Sequence, residues 1–136
     1  MQTFLHVGCG PNTNNHTTKG FNTNKWEVVR FDIDESVNPD IVGSMTDLSM
    51  IEPDTFDAVF SSHNIEHLYP FEVKSALVEF KRVLSSSGFI VITCPDLLST
   101  AKLVAEGKLT ETAYISPVGP ITPLDILYGH LESLQK

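Results

Sequence analysis

Three short stretches of this chain carry residues suited to chemistry: His6-Val7-Gly8-Cys9-Gly10, Asp32 with Asp34 close behind it, and His63-Asn64-Ile65-Glu66-His67. The third has the His-x-x-Glu-His spacing with which a helix can present two histidines to zinc and a glutamate to water. That chemistry needs a helix beneath the motif and a third ligand elsewhere. Here the stretch follows directly on an apolar run ending in Ser61-Ser62, and Pro70 closes it. A zinc hydrolase built on His63, Glu66 and His67 is therefore only an alternative, and no metal is expected. The plainer reading is a polar loop in which Glu66 caps a short helix or holds a histidine. In the first stretch, Gly8 and Gly10 permit a tight turn and the close approach of backbone to a ligand. Asp32 falls at the end of the next apolar run, where a carboxylate can accept hydrogen bonds from both hydroxyls of a ribose. Together the two strand ends point to a nucleoside cofactor.

These residues need a scaffold that brings strand ends together. Apolar runs at 4–7, 27–33, 40–42, 55–62 and 89–93 read as strands. Between the last two, Val73, Ala76, Leu77, Phe80, Val83 and Leu84 recur at three- and four-residue spacing, which predicts a helix with one buried face, broken at Ser87-Gly88. Residues 12–25 are rich in Asn, Thr, Gly and Lys and predict no long helix. The connection between the second and third strands leaves room for a very small helix at most. Short helices are expected over 96–106 and over 122–131, the latter with Pro123 in its first turn. After Ile92 no comparable pair of strand patterns is evident. Strands separated by helical patterns indicate an α/β fold with a mostly parallel sheet and helices on both faces. The expected division is a core over 1–106 and a cover or partner-binding segment over 107–136.

The bulk numbers narrow the partners. The 136 residues, 41% hydrophobic and 19% charged, suit one globular domain. A net charge of -8 and a pI near 4.9 oppose a phosphate backbone, and the nine lysines and arginines are scattered from Lys19 to Lys136, so nucleic acid is not the expected partner. Two distant cysteines, Cys9 and Cys94, do not suggest a disulfide framework. With no signal-peptide pattern and no apolar run long enough to span a bilayer, the expectation is a cytoplasmic protein without a membrane partner.

The series FLHVGCG, VRFDID, PDIVGSMTDL, FDAVFSSHNIEHLYP and ALVEFKRVLSSSGFIVITCPDL, in that order, resembles the class I S-adenosylmethionine-dependent methyltransferases, especially the type 11 group of small-molecule and glycan-associated enzymes. The resemblance implies a Rossmann-like fold, S-adenosylmethionine as cofactor and a small-molecule or glycan-related acceptor. It implies that Gly8 and Gly10, with Cys9 between them, line the methionine portion and that Asp32 binds the ribose. Ser44 and Met45, with Thr46, would lie near the adenine, and Ser61, Ser62, His63 and Asn64 beneath the sulfonium. His67 becomes the general-base candidate, with His63 second. Glu79 and Arg82 resemble the supporting helix, with Arg82 bracing Glu66 or Glu79, and Gly88 would turn the chain into the fifth strand. Three positions depart from the pattern. His6 stands where an acidic residue is frequent, Asn12 at a third glycine position, and Ser44 in place of an acid that Asp47 could replace. The resemblance also implies further carboxyl-terminal strands, for which this sequence shows no pattern after Ile92, so that the sheet would be truncated on that side with the fifth strand open. Completion as a homodimer, or a noncatalytic cofactor-binding or structural role on the same fold, follow as readings. Tyr114, Tyr128 and His130 would then line an acceptor surface or simply pack in the tail.

Overall fold

The computed structural model describes residues 1–13, 16–116 and 119–129. Short apolar runs pair into a five-stranded sheet made of β1 (Gln2–Val7), β2 (Trp26–Asp32), β3 (Ile41–Val42), β4 (Phe56–Ser62) and β5 (Leu84–Thr93). The order is β3-β2-β1-β4-β5 and every pairing is parallel. The chain runs outward from β1 to β3 and then returns to lay β4 on β1's other side. The carboxyl ends of β1 and β4 thus flank the switch point at which such sheets receive ligands. This is the Rossmann-like arrangement expected from the sequence.

Alternation along β1 divides the core in two. Leu5 and Val7 join Phe31, Val59 and the apolar face of α1 (Pro70–Val83), whose Ala76, Phe80 and Val83 are buried. On the other face Phe4 packs with Phe21, Ala58 and Phe60, edged by Trp26. Each large side chain removed from water in this way contributes about 1.5–3 kcal/mol. Phe21 lies in the long connection after β1, which has no α-helix among its described residues. A single 3-10 turn, Glu35–Val37, bridges β2 and β3, capped by Asp34 accepting from the Ser36 amide.

The helix before β5 ends earlier than its apolar spacing predicts. Pro70 sits in its first turn and the Glu72 carboxylate accepts the Tyr69 amide. Its end comes at Val83, and Leu84 is already extended and paired with Phe56. The register then jumps to Ala58 opposite Phe89, so Ser85, Ser86, Ser87 and Gly88 form a bulge in β5 instead of a helix-breaking loop. Gly88 is required there because a Cβ would stand 2.9 Å from Leu84 Cδ2 and 3.0 Å from the Ser85 carbonyl oxygen.

Two compact units divide the chain, Met1–Cys94, which holds the sheet and α1, and Pro95–Lys136. In the second, Asp96 caps α2 (Leu97–Ala105) through the Leu98 and Ser99 amides. The strands β6 (Tyr114–Ser116) and β7 (Gly119–Ile121) form an antiparallel pair. That pair corrects the expectation of no strand pair after Ile92: at three residues each, with Pro120 inside one, they carry no alternation to read. A short helix α3 (Pro123–Tyr128) follows, its amino end closed by a reciprocal bond between Thr122 and Asp125. Among the described residues no helix is long and apolar enough to cross a membrane.

Candidate functional site

At the carboxyl ends of β1, β2 and β3 the first unit opens a cleft of about 310 Å³, within the lower range of small-ligand sites. Its floor begins at the glycine turn. Gly8 has φ +70 and Gly10 φ +52, and the amides of Gly8 and Cys9 both donate to the Phe31 carbonyl. The turn is thereby strapped to the end of β2, where Asp32 emerges.

Asp32 is held on both oxygens. Oδ2 accepts the Gly10 amide at 2.7 Å and Oδ1 accepts the Asp34 amide at 2.9 Å. Each oxygen keeps further acceptor capacity, so a half-buried carboxylate fixed by two backbone bonds is presented to the cleft. Next to it, Ile33 is 74% exposed although strongly apolar, and with Met45 it offers an apolar wall. Such a wall suits a planar base, and Asp32 suits a vicinal diol.

Of the residues expected at the site, Gly8, Asp32, Ser44, Met45, Asn64 and His67 line this cleft. Thr46 stands just behind them, its hydroxyl 2.8 Å from that of Ser44. Gly10 faces Asp32 through its amide. Cys9 is buried, and burial pushes its thiol up, so it stays protonated and unreactive at neutral pH. Ser61 is fully buried and receives a bond from Asn64, while the Ser62 hydroxyl pairs with that of Thr93 on β5 at 2.7 Å. His63 is not among the cleft-lining residues; it adopts φ +50 and donates its amide to Thr93, which fixes how the chain leaves β4. Asp47 accepts from the Ser49 amide and lines a separate groove beside α1, away from the cleft.

The spacing His63, Glu66 and His67 does not lie on an α-helix. Ile65–His67 is one 3-10 turn, His63 precedes it, and the nearest His63–Glu66 approach is 4.0 Å. Among the described residues no three His, Cys, Asp or Glu side chains converge as a metal site. Arg82 braces Glu79, not Glu66, at 2.8 Å. Tyr114 and Tyr128 belong to the second unit, and His130 lies outside the described residues.

Two contributors, Ile33 and Arg30, escape a reading of the sequence alone, and for a third, Asn64, the sequence gives the place without the bonds. Ile33 looks like a core strand residue. The carboxamide of Asn64, expected only as part of the floor, reaches the Val7 carbonyl, Ser61 Oγ and Met45 Sδ at once. Arg30, by alternation an ordinary polar strand residue, ties two loops beside Asp32. His6 is only 3% exposed, lies edge-on to Phe60, has an unpartnered Nδ1 and does not reach the cleft. Burial, reinforced by the Arg30 charge, lowers its pKa to about 4, so it is neutral at pH 7.

An open parallel sheet with a glycine turn, a strand-end aspartate and an apolar base-sized wall defines a nucleoside-cofactor domain of Rossmann-like type. Residues 5–92 match the family described as a methyltransferase domain, and the chain belongs to that family. A SAM-dependent methyltransferase from Archaeoglobus fulgidus is similar at 25% identity and a TM-score of 0.60, covering 98% of this chain and 60% of that one. The PH0226 protein from Pyrococcus horikoshii OT3 is 27% identical with a TM-score of 0.57, covering 85% and 57%. An arsenic(III) S-adenosylmethionine methyltransferase from Chlamydomonas reinhardtii shares the fold, at 20% identity, a TM-score of 0.55 and coverage of 67% and 38%. The chain thus spans between 38% and 60% of the length of these structures. No curated protein matches it.

S-adenosylmethionine is the cofactor of this family, and the residues present fit it. Asp32 would hold the ribose hydroxyls, Ile33 and Met45 the adenine, and the backbone at Gly8 and Gly10 the methionyl end. A Cβ at Gly10 would meet nothing within 4 Å, so the turn is open on that side.

Proposed function

We propose that the chain catalyses S-adenosylmethionine-dependent methyl transfer to a small-molecule or glycan-related acceptor. The observation that carries this reading is Asp32, fixed by the Gly10 and Asp34 amides at the mouth of a cleft walled by Ile33 and Met45. The cofactor, when bound, supplies an activated methyl group for in-line transfer, so the protein's task is alignment.

His67 is the residue placed to handle a proton. It is exposed, lines the cleft, and is the last residue of the turn leaving β4. Its imidazole takes the proton from an acceptor hydroxyl or amine as the methyl arrives; a carboxylate acceptor would not need it. Two residues on, Tyr69 and Phe71 stack at 5.6 Å with their rings 4° from parallel, and they are 67% and 76% exposed. A flat apolar face that begins one residue after the cleft-lining Leu68 favours an acceptor with its own apolar face, as a sugar ring has.

Calorimetric titration with S-adenosylmethionine and S-adenosylhomocysteine, followed by acceptor profiling with methyl-labelled cofactor, tests the reading. Saturable binding with label transfer is expected. No binding would refute it, and binding without transfer to any acceptor class would favour a noncatalytic cofactor-binding protein. His67→Gln should lower the transfer rate at saturating cofactor and leave cofactor affinity unchanged; an unchanged rate would remove His67 from proton transfer.

A further inference from the structure

We propose that Arg30 is a positioning residue that clasps the two loops framing the cofactor cleft and sets their spacing before a ligand arrives. Its guanidinium donates to four main-chain carbonyls. Two belong to the turn after β1, with Nη2 to Gly10 at 2.7 Å and Nε to Asn12 at 3.0 Å. The other two belong to the turn after β2, with Nη2 to Val37 at 3.0 Å and Nη1 to Asn38 at 2.6 Å. Asp32 ties the same two turns through the Gly10 and Asp34 amides, and Arg30 ties them through their carbonyls. Only a planar fork with five donors can span four carbonyls in fixed directions; a lysine ammonium is a compact point with three.

The clasp acts on the cradle itself. Gly10 is held at both of its peptide groups, its amide by Asp32 and its carbonyl by Arg30. The distance between the glycine turn and the ribose-facing carboxylate is thus fixed by two side chains of β2, two residues apart and on one face. His6 stands opposite Arg30 in the β1–β2 register and shares that face. A carboxylate at position 6 would draw the guanidinium from the carbonyls, since charged acceptors bind it more strongly. An uncharged imidazole leaves the fork free to hold the loops. Among the described residues no carboxylate lies within ion-pair distance of Arg30, and its guanidinium is met chiefly by the four carbonyl oxygens, with the Cys9 side chain beside it.

This inference rests on the proposed cofactor reading for its consequence, though not for the clasp. The test measures amide hydrogen exchange in the unliganded protein at Gly10, Asn12, Val37 and Asn38 for wild type, Arg30→Lys and Arg30→Met, together with S-adenosylhomocysteine affinity. Both variants should exchange about tenfold faster at all four amides, with β4 unchanged, and affinity should fall about tenfold, matching the loss of charge-assisted bonds. If Arg30→Met does not fold, Arg30→Lys decides, because it keeps the charge without the fork. Unchanged exchange in either turn, or full recovery of affinity with lysine, overturns the proposal. A wild-type protein that fails to bind S-adenosylhomocysteine refutes the cofactor reading, and the exchange data still judge the clasp.

Discussion

The carboxamide of Asn64 lies directly beneath Gly8, so that a Cβ on Gly8 would stand inside van der Waals contact with Asn64 Cγ, Nδ2 and Oδ1. The absence of a side chain at Gly8 thus serves the post-β4 segment as much as the turn's own φ of +70. Gly8→Ala should destabilise the protein by about 3 kcal/mol, the sum of left-handed backbone strain and overpacking. Adding Asn64→Ser should recover the overpacking part and leave the strain, which urea denaturation of the two single variants and the double variant can resolve. Strict additivity would mean that the two residues are not in contact.

Asp32→Asn tests the ribose assignment. An amide offers one acceptor oxygen where the carboxylate offers two, so either the Gly10 or the Asp34 amide loses its partner. Loss of hydrogen bonds to a charged group should weaken S-adenosylhomocysteine binding by about 10- to 100-fold while the fold persists. Calorimetry reads the constant directly. An unchanged constant would place the ribose elsewhere.

Strand ends were legible because period-two alternation and the glycine turn are local signals, and Asp32 follows from where its strand stops. The same locality explains the failures. Leu84 already pairs with β4 and Ser85 to Gly88 bulge within β5, because β4 supplies an edge that a serine run with no apolar alternation does not announce. Ile33 reads as core yet faces the cleft, since it lies one residue past Asp32, the last paired position of β2. The roles of Arg30 and Asn64 depend on carbonyls brought near by the sheet, and no sequence spacing encodes them.

Glu79 and Arg82 on α1 grip the segment after β3 by its main chain. Glu79 Oε2 accepts the Leu48 amide at 2.7 Å, and Arg82 donates to the Leu48 and Ile51 carbonyls at 2.7 and 2.9 Å. Since that segment continues from Ser44 and Met45, Glu79→Ala should lower both thermal stability and cofactor affinity by leaving the buried Leu48 amide unpaired. The Glu79 carboxyl lies below its usual value because Arg82 bonds its charged form. Its contribution is therefore present above the unfolded value of 4.5 and fades as pH falls through the lower folded value. The gap in melting temperature between wild type and Glu79→Ala should narrow as pH falls below 4.5; a constant gap down to strongly acidic pH would contradict the assignment.

His6 titrates in a separate window. Its pKa drops from 6.5 to about 4 in the folded protein, first by burial and then by the Arg30 charge, so folding favours the neutral ring. The stabilisation is complete above the unfolded value of 6.5 and is lost as pH falls toward 4. A shift of this size corresponds to about 3 kcal/mol. His6→Leu removes the titration, and it also removes the unpartnered Nδ1 from an aromatic surround of Phe4 and Phe60. At pH 7 the variant should therefore be at least as stable as wild type. Urea denaturation at intervals from pH 7 to pH 4 should show wild type losing about 3 kcal/mol more than His6→Leu. Loss at Glu79 and the other carboxylates is common to both proteins and cancels in the difference. Parallel pH profiles would mean that His6 is reached by water or finds a partner for its proton, and Arg30 would then share its sheet face with a cation at mildly acidic pH.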